Sequence, residues 1–198
     1  MGDFYERIID VEVSGEEAAA LAGRVVDWLV GEGVLTRERT RDGVYSLGAE
    51  DGHVPGPGWA RAVADPSDAD WLPGPVAVLL GRSHHTGGQG QYEAEYAECP
   101  RCGNRAVIIA YPEALEADPA VWRPFEEGIE AWRETGVGSA PCASCGALVP
   151  VTEWGWDSAF ALGALAFDFW GRPPLSSAFL AGFGRRLGHR TVELSGKF

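Results

Sequence analysis

All four cysteines of this 198-residue chain stand in two pairs, Cys99-Pro-Arg-Cys102 and Cys142-Ala-Ser-Cys145, and each pair is followed by glycine, Gly103 or Gly146. Two residues between paired cysteines let both sulfurs reach one ion from a single tight turn. A glycine behind the second cysteine can take the left-handed backbone that such a turn requires. Four thiolates complete the shell of a tetrahedral Zn2+ and leave no position for water or substrate, which is the pattern of a structural rather than a catalytic ion. Two disulfides, a redox-active C-x-x-C, four unligated thiols and an iron-sulfur cluster are the alternatives; spacing and a reducing compartment favour zinc.

The two knuckles resemble those of a zinc ribbon, over a stretch from about Glu98 to Val151. The resemblance implies that each knuckle sits at the tip of a hairpin. The 39 residues from Gly103 to Pro141 exceed the roughly 15 to 20 that usually separate such pairs, so something is inserted. After a strand-like Arg105 to Tyr111, an Asp118 cap precedes Val121, Trp122, Phe125, Ile129 and Trp132 at helical spacing. This predicts a helix, broken or restarted at Pro124.

Other side chains invite a chemical reading. If Ile9, Val11 and Val13 face helices, Asp10 and Glu12 point to the opposite face of a sheet, and Asp168 between Phe167 and Phe169 does likewise. Such a face could share a proton, bind a cation or receive arginines. His84-His85 falls in a glycine-rich stretch from Gly81 to Gln91 that reads as an exposed, mobile loop, so removing both imidazoles is expected to leave stability nearly unchanged. Arg185-Arg186 and His189-Arg190 form the densest cationic cluster, placed where positive charge complements a helix C-terminus. Eight tryptophans, among them Trp154 and Trp156, read as core and hairpin packing or as the lining of a cleft or interface.

The elements that position these groups follow from periodicity. Ile9 to Val13 alternates as a strand, and Ser14-Gly-Glu-Glu17 is a capping box that launches a helix carrying Leu21, Val25, Trp28 and Leu29 as far as Gly31 or Gly33. Pro75 to Leu80 reads as a buried strand. Leu165, Phe167 and Phe169 alternate; Pro173-Pro174 open a helix with Leu175, Phe179, Phe183 and Leu187; Thr191 to Leu194 is a last strand. The order βα, β, β, αβ predicts an α+β fold, a ferredoxin-like split βαβ sheet built from residues 1–97 and 152–198, with a zinc-ribbon-type module of residues 98–151 inserted. Residues 34–74 are punctuated by Pro55-Gly-Pro-Gly58, Asp65-Pro66 and Trp71-Leu-Pro-Gly74, with a hairpin expected near Asp42-Gly43.

Net charge is −13, and residues 1–98 carry 18 acidic against 7 basic side chains. A nucleic-acid backbone is repelled by such a field, which disfavours nucleic acid as a partner. No apolar run is long enough to span a membrane, and the first residues lack a signal-peptide pattern. No catalytic motif or cofactor fingerprint is recognised. The chain therefore reads as a cytoplasmic protein with structural Zn2+ that binds another protein, in the manner of an immunity or antitoxin partner occluding a basic enzyme site. An enzyme using Asp10, Glu12 and Asp168, and nucleic-acid binding through the ribbon, are the alternatives.

Overall fold

A computed structural model describes residues 4–66, 73–88, 92–171 and 173–197. The turn expected at Trp71-Leu72 and the end of the glycine-rich stretch at 89–91 lie outside the described residues. The chain divides into two compact units, residues 1–81 with 163–198, and residues 82–162. The inserted unit is thus longer at both ends than residues 98–151.

The first unit is α+β. Its elements are β1 (Phe4–Asp10), α1 (Gly15–Gly31), β2 (Leu35–Thr40), β3 (Gly52–Pro55), the start of β4 (Val76–Thr86), most of β10 (Phe160–Trp170), α3 (Ser177–Leu187) and β11 (Thr191–Lys197). The sheet order is β11-β1-β10-β4-β3-β2, and β1 is antiparallel to both β10 and β11. The first strand therefore lies between the last strand and the one that precedes α3. The hairpin β2–β3 extends the sheet beyond β4, with the 11-residue loop 41–51 between its strands.

One face of this sheet is apolar because Ile8, Leu165, Phe167 and Phe169 pack against Leu21, Val25 and Leu29 of α1 and Phe179, Phe183 and Leu187 of α3. Trp28 of α1 stacks on Phe179 at 6.0 Å and meets the edge of Phe183 at 5.9 Å, so aromatic rings join the two helices. Ser14 caps α1 as expected, accepting from the Glu17 amide at 3.2 Å. Helix α3 starts at Ser177 with Ser176 as its cap, accepting from the Phe179 amide at 3.2 Å, rather than at the proline pair.

The opening strand runs earlier than its alternation suggested. It ends at Asp10, and Val11 to Ser14 form the turn into α1. Pairing of Ile8 with Phe167 and of Arg7 with Asp168 fixes the faces: Ile8 and Asp10 share the helix side, while Arg7, Ile9 and Asp168 share the other. Two isoleucines in succession made either parity possible from sequence. The strand has adopted the one that puts Ile8 under the helices.

On the second face Asp168 is fully buried. The Arg7 guanidinium donates two bonds to it, Nε to Oδ1 at 2.5 Å and Nη2 to Oδ2 at 2.7 Å. Ser46 in loop 41–51 donates to Oδ2 at 2.5 Å, and the Trp170 indole donates to Ser46 Oγ at 2.8 Å. The least legible stretch of sequence therefore supplies a partner to the most buried charge. Burial works against the Arg7 charge, but its hydrogen bonds and attraction to Asp168 raise its pKa above the ordinary arginine value.

Asp168→Asn removes the counter-charge of a guanidinium whose side chain is only 12% exposed. Urea denaturation is expected to show a loss of about 3–5 kcal/mol. The double variant Arg7→Met with Asp168→Leu should lose much less, since no lone charge remains.

Candidate metal centre

The second unit holds the cysteines on two hairpins. Strands β5 (Tyr96–Glu98) and β6 (Arg105–Val107) flank the first knuckle, and β7 (Ser139–Pro141) and β8 (Leu148–Pro150) flank the second. The knuckles repeat one hydrogen-bond pattern. Gly103 N–H donates to Cys99 O at 2.9 Å and Cys99 N–H to Asn104 O at 2.9 Å; Gly146 N–H donates to Cys142 O and Cys142 N–H to Ala147 O, both at 2.8 Å. Gly103 and Gly146 have φ of 69° and 73°, a conformation in which a side chain would be strained. The reading of the cysteine-glycine spacing is realised at both knuckles.

Helix α2 (Pro119–Thr135) is the inserted element, capped by Asp118, whose carboxylate accepts from the Ala120 amide at 2.8 Å. It runs unbroken through Pro124, contrary to the expected break. Phe125, Ile129 and Trp132 pack with Cys99, Cys142, Val149, Val151 and Trp154 into one core. Gly128 lets α2 approach β7 closely, because a Cβ there would lie 2.8 Å from both Ser139 O and Val151 Cγ1. Strand β9 (Gly155–Trp156) pairs with the other edge of β5. The helix thus holds the hairpin bases from within.

All four sulfurs lie within 4.8 Å of one another. Cys102 Sγ is 3.7 Å from Cys142 Sγ, and Cys99 Sγ is 4.0 Å from Cys145 Sγ. A tetrahedron with metal-sulfur bonds of about 2.3 Å has edges of about 3.8 Å. A disulfide needs about 2.05 Å, and all four cysteines are free. The donor set and its spacing therefore fit one tetrahedral ion. Cys99 and Cys142 are buried, while Cys102 and Cys145 face solvent.

The thiols are electrostatically unequal. Backbone hydrogen bonding at Cys145, joined by that at Ser144 and by contacts with Cys99 and Cys145 sulfurs, pulls the Cys142 thiol down to about 6. At Cys102 a backbone hydrogen bond at Asn104 acts to lower the pKa, yet desolvation and the neighbouring sulfurs of Cys145, Cys142 and Cys99 push it up to about 12. Sulfurs this close resist losing all their protons together unless a cation supplies the opposite charge.

The other sequence candidates do not converge. Asp10 and Asp168 lie on opposite faces of the sheet, which corrects the expected shared face, and Glu12 lies beyond the strand. Each is occupied. Asp10 Oδ1 accepts from the amides of Glu12 (3.0 Å) and Val13 (2.9 Å), and its Oδ2 lies 2.8 Å from His189 Nδ1. Glu12 accepts from the Arg190 amide at 2.9 Å, so half of the cationic cluster fastens the turn after α3 to the turn before α1. Arg186 stands 5.5 Å over the Trp28 ring. Sequence reasoning missed Arg7 and Ser46, and placed His189 in the cationic cluster without its Asp10 partner; for Arg7 the only signal was the parity of β1.

His84 and His85 also require correction. They belong to β4, not to a loop; His85 is buried, and His84 stacks on Phe160 at 5.8 Å. As neighbours on a strand, the two imidazoles point to opposite faces. The rings of Trp122, Phe125, Trp154, Trp156 and Phe160 form a contiguous cluster beside them, in which the Trp154 indole donates to Val149 O and the Trp156 indole to Val151 O. For Trp122, Trp154 and Trp156 this is the packing reading.

No protein-family model, curated protein or solved structure matches the chain. The site must therefore be interpreted from its own geometry.

Burial, reinforced by Arg133, lowers the His84 pKa, and burial lowers that of His53 in the β2–β3 hairpin. The unfolded chain then takes up protons first, so stability is full above the ordinary imidazole value of about 6.5 and falls as pH drops below it. Denaturation midpoints measured through this range should show that loss, and His84→Phe should reduce it. His85→Ala should now destabilise by about 1–3 kcal/mol in urea titration, as for other truncated buried side chains.

Proposed function

We propose that Cys99, Cys102, Cys142 and Cys145 hold one Zn2+ as a structural ion, and that the protein acts by binding another protein in the cytoplasm, where thiols stay reduced. The observation that carries the metal assignment is the pair of sulfur separations, 3.7 and 4.0 Å, on two knuckles of matching backbone geometry. When bound, the ion supplies folding energy rather than a reactive centre, because four protein ligands close its shell. The first unit is, in this reading, an elaborated ferredoxin-like scaffold that carries the zinc module.

The partner class follows from charge. A chain of net charge −13 attracts a basic protein, the property an immunity or antitoxin role requires. Helix α2 turns Glu126, Glu127, Glu130 and Glu134 outward, and all four are exposed. Two cations of the knuckle segments are paired: Arg101 with Glu153 at 3.0 Å and Arg105 with Glu98 at 3.4 Å, and the Arg105 guanidinium also lies over the Tyr96 ring at 3.9 Å. That pairing favours a protein partner over nucleic acid. Enzymatic use of Asp10, Glu12 and Asp168 is disfavoured by their separation and by the bonds each already makes.

Elemental analysis of protein purified under reducing conditions should find about one zinc per chain. Cys102→Ser should lose most of that zinc and broaden or abolish the unfolding transition of the second unit, read by tryptophan fluorescence. Metal-free protein with two disulfides would overturn the assignment. For the partner, affinity capture followed by reconstitution with the purified captured protein should give a basic protein whose binding weakens with salt. Retention of nucleic acid instead would favour the ribbon as its reader.

A further inference from the structure

Among the described residues the sheet has six strands, and its two outer ones differ in kind. Strand β2 pairs with β3 through a register shift between Leu35 and Arg39, and it carries Arg37, Glu38 and Arg39 in succession. Irregularity and dense charge are the usual devices that keep an edge from pairing with another chain. Strand β11 lacks the irregularity. All seven of its residues, Thr191 to Lys197, pair with β1 in unbroken register, and it contains no proline. Its far side is an outer edge of the sheet, with alternate backbone N–H and C=O groups directed away from β1.

The charges on β11 are arranged for self-recognition. Glu193, Ser195 and Lys197 alternate on one face and are all exposed. When two copies of the strand are laid antiparallel about Ser195, Glu193 of each copy falls opposite Lys197 of the other, and the two serines meet at the centre. Opposite charges directly across an antiparallel pair are favourable, whereas a register centred on Glu193 or on Lys197 would set like charges face to face. A single lysine on an edge usually blunts it. Here the glutamate two positions before it turns the same residue into a register mark.

We propose that β11 is a self-association edge, pairing antiparallel with β11 of a second copy about Ser195 so that the two sheets become continuous. The contact is isologous, as two-fold symmetry requires, and closes at two chains. It is small, made by one strand, so the dimer is weak and concentration-dependent.

The test uses the full zinc-containing chain in sedimentation equilibrium. Wild type should show a reversible monomer-dimer equilibrium. Glu193→Lys and Lys197→Glu each turn both cross-strand pairs from attractive to repulsive, and each should weaken the dimer about tenfold. The double variant carrying both changes restores opposite charges and should recover wild-type association, an outcome that a fold defect would not give. Should a single variant fail to fold, hydrogen exchange on wild type decides: amides of residues 191–197 should gain protection as concentration rises. A chain that stays monomeric, a dimer insensitive to both reversals, or protection that rises at another strand overturns the proposal.

Discussion

Strand β10 leaves no residue to solvent: all eleven, from Phe160 to Trp170, are buried. A strand covered on both faces must find partners for whatever each face carries, and that requirement organises what surrounds it. Leu165, Phe167 and Phe169 demand the two helices. Asp168, facing the other way, demands a cation and a donor, and Arg7 and Ser46 supply them. The first residues of the same strand serve a different core, since Phe160 and Leu162 belong to the cluster that contains Cys99 and Cys142. One continuous run of buried residues thus contributes to both units.

Legibility from sequence followed the distance over which each signal acts. The knuckles were legible because their chemistry is local: cysteine spacing and the following glycine define the turn before anything else folds. Helix α1 was legible for the same reason, its cap and apolar stripe lying within one turn or two of each other. The parity of β1 was not, because Ile8 and Ile9 are equally apolar and only pairing with β10 decides between them. His84 and His85 were misread because glycine content suggests a loop, while an aromatic partner at Phe160 is remote in sequence. The continuity of α2 through Pro124 is likewise decided by packing, with Phe125 and Ile129 held in a core that local propensity cannot see.

The spacing between the knuckles has an entropic meaning. Joining Cys102 to Cys142 through an ion closes a loop 40 residues long, and a permanent link of that span would restrict the unfolded chain by about 4 kcal/mol in a loop-entropy description. Helix α2 lies inside that loop, with Gly128 fitted against β7. Ion binding and helix packing therefore favour the same compact arrangement of the segment, so the long insertion does not slacken the module. It gives the module a core of its own.

Each knuckle buries its first cysteine and exposes its second. The candidate site is consequently two-sided, with two sulfurs anchored in the aromatic core and two at the surface. Oxidants and alkylating reagents would therefore meet Cys102 and Cys145 before Cys99 and Cys142, and an ion held by all four sulfurs would shield the outer pair from them.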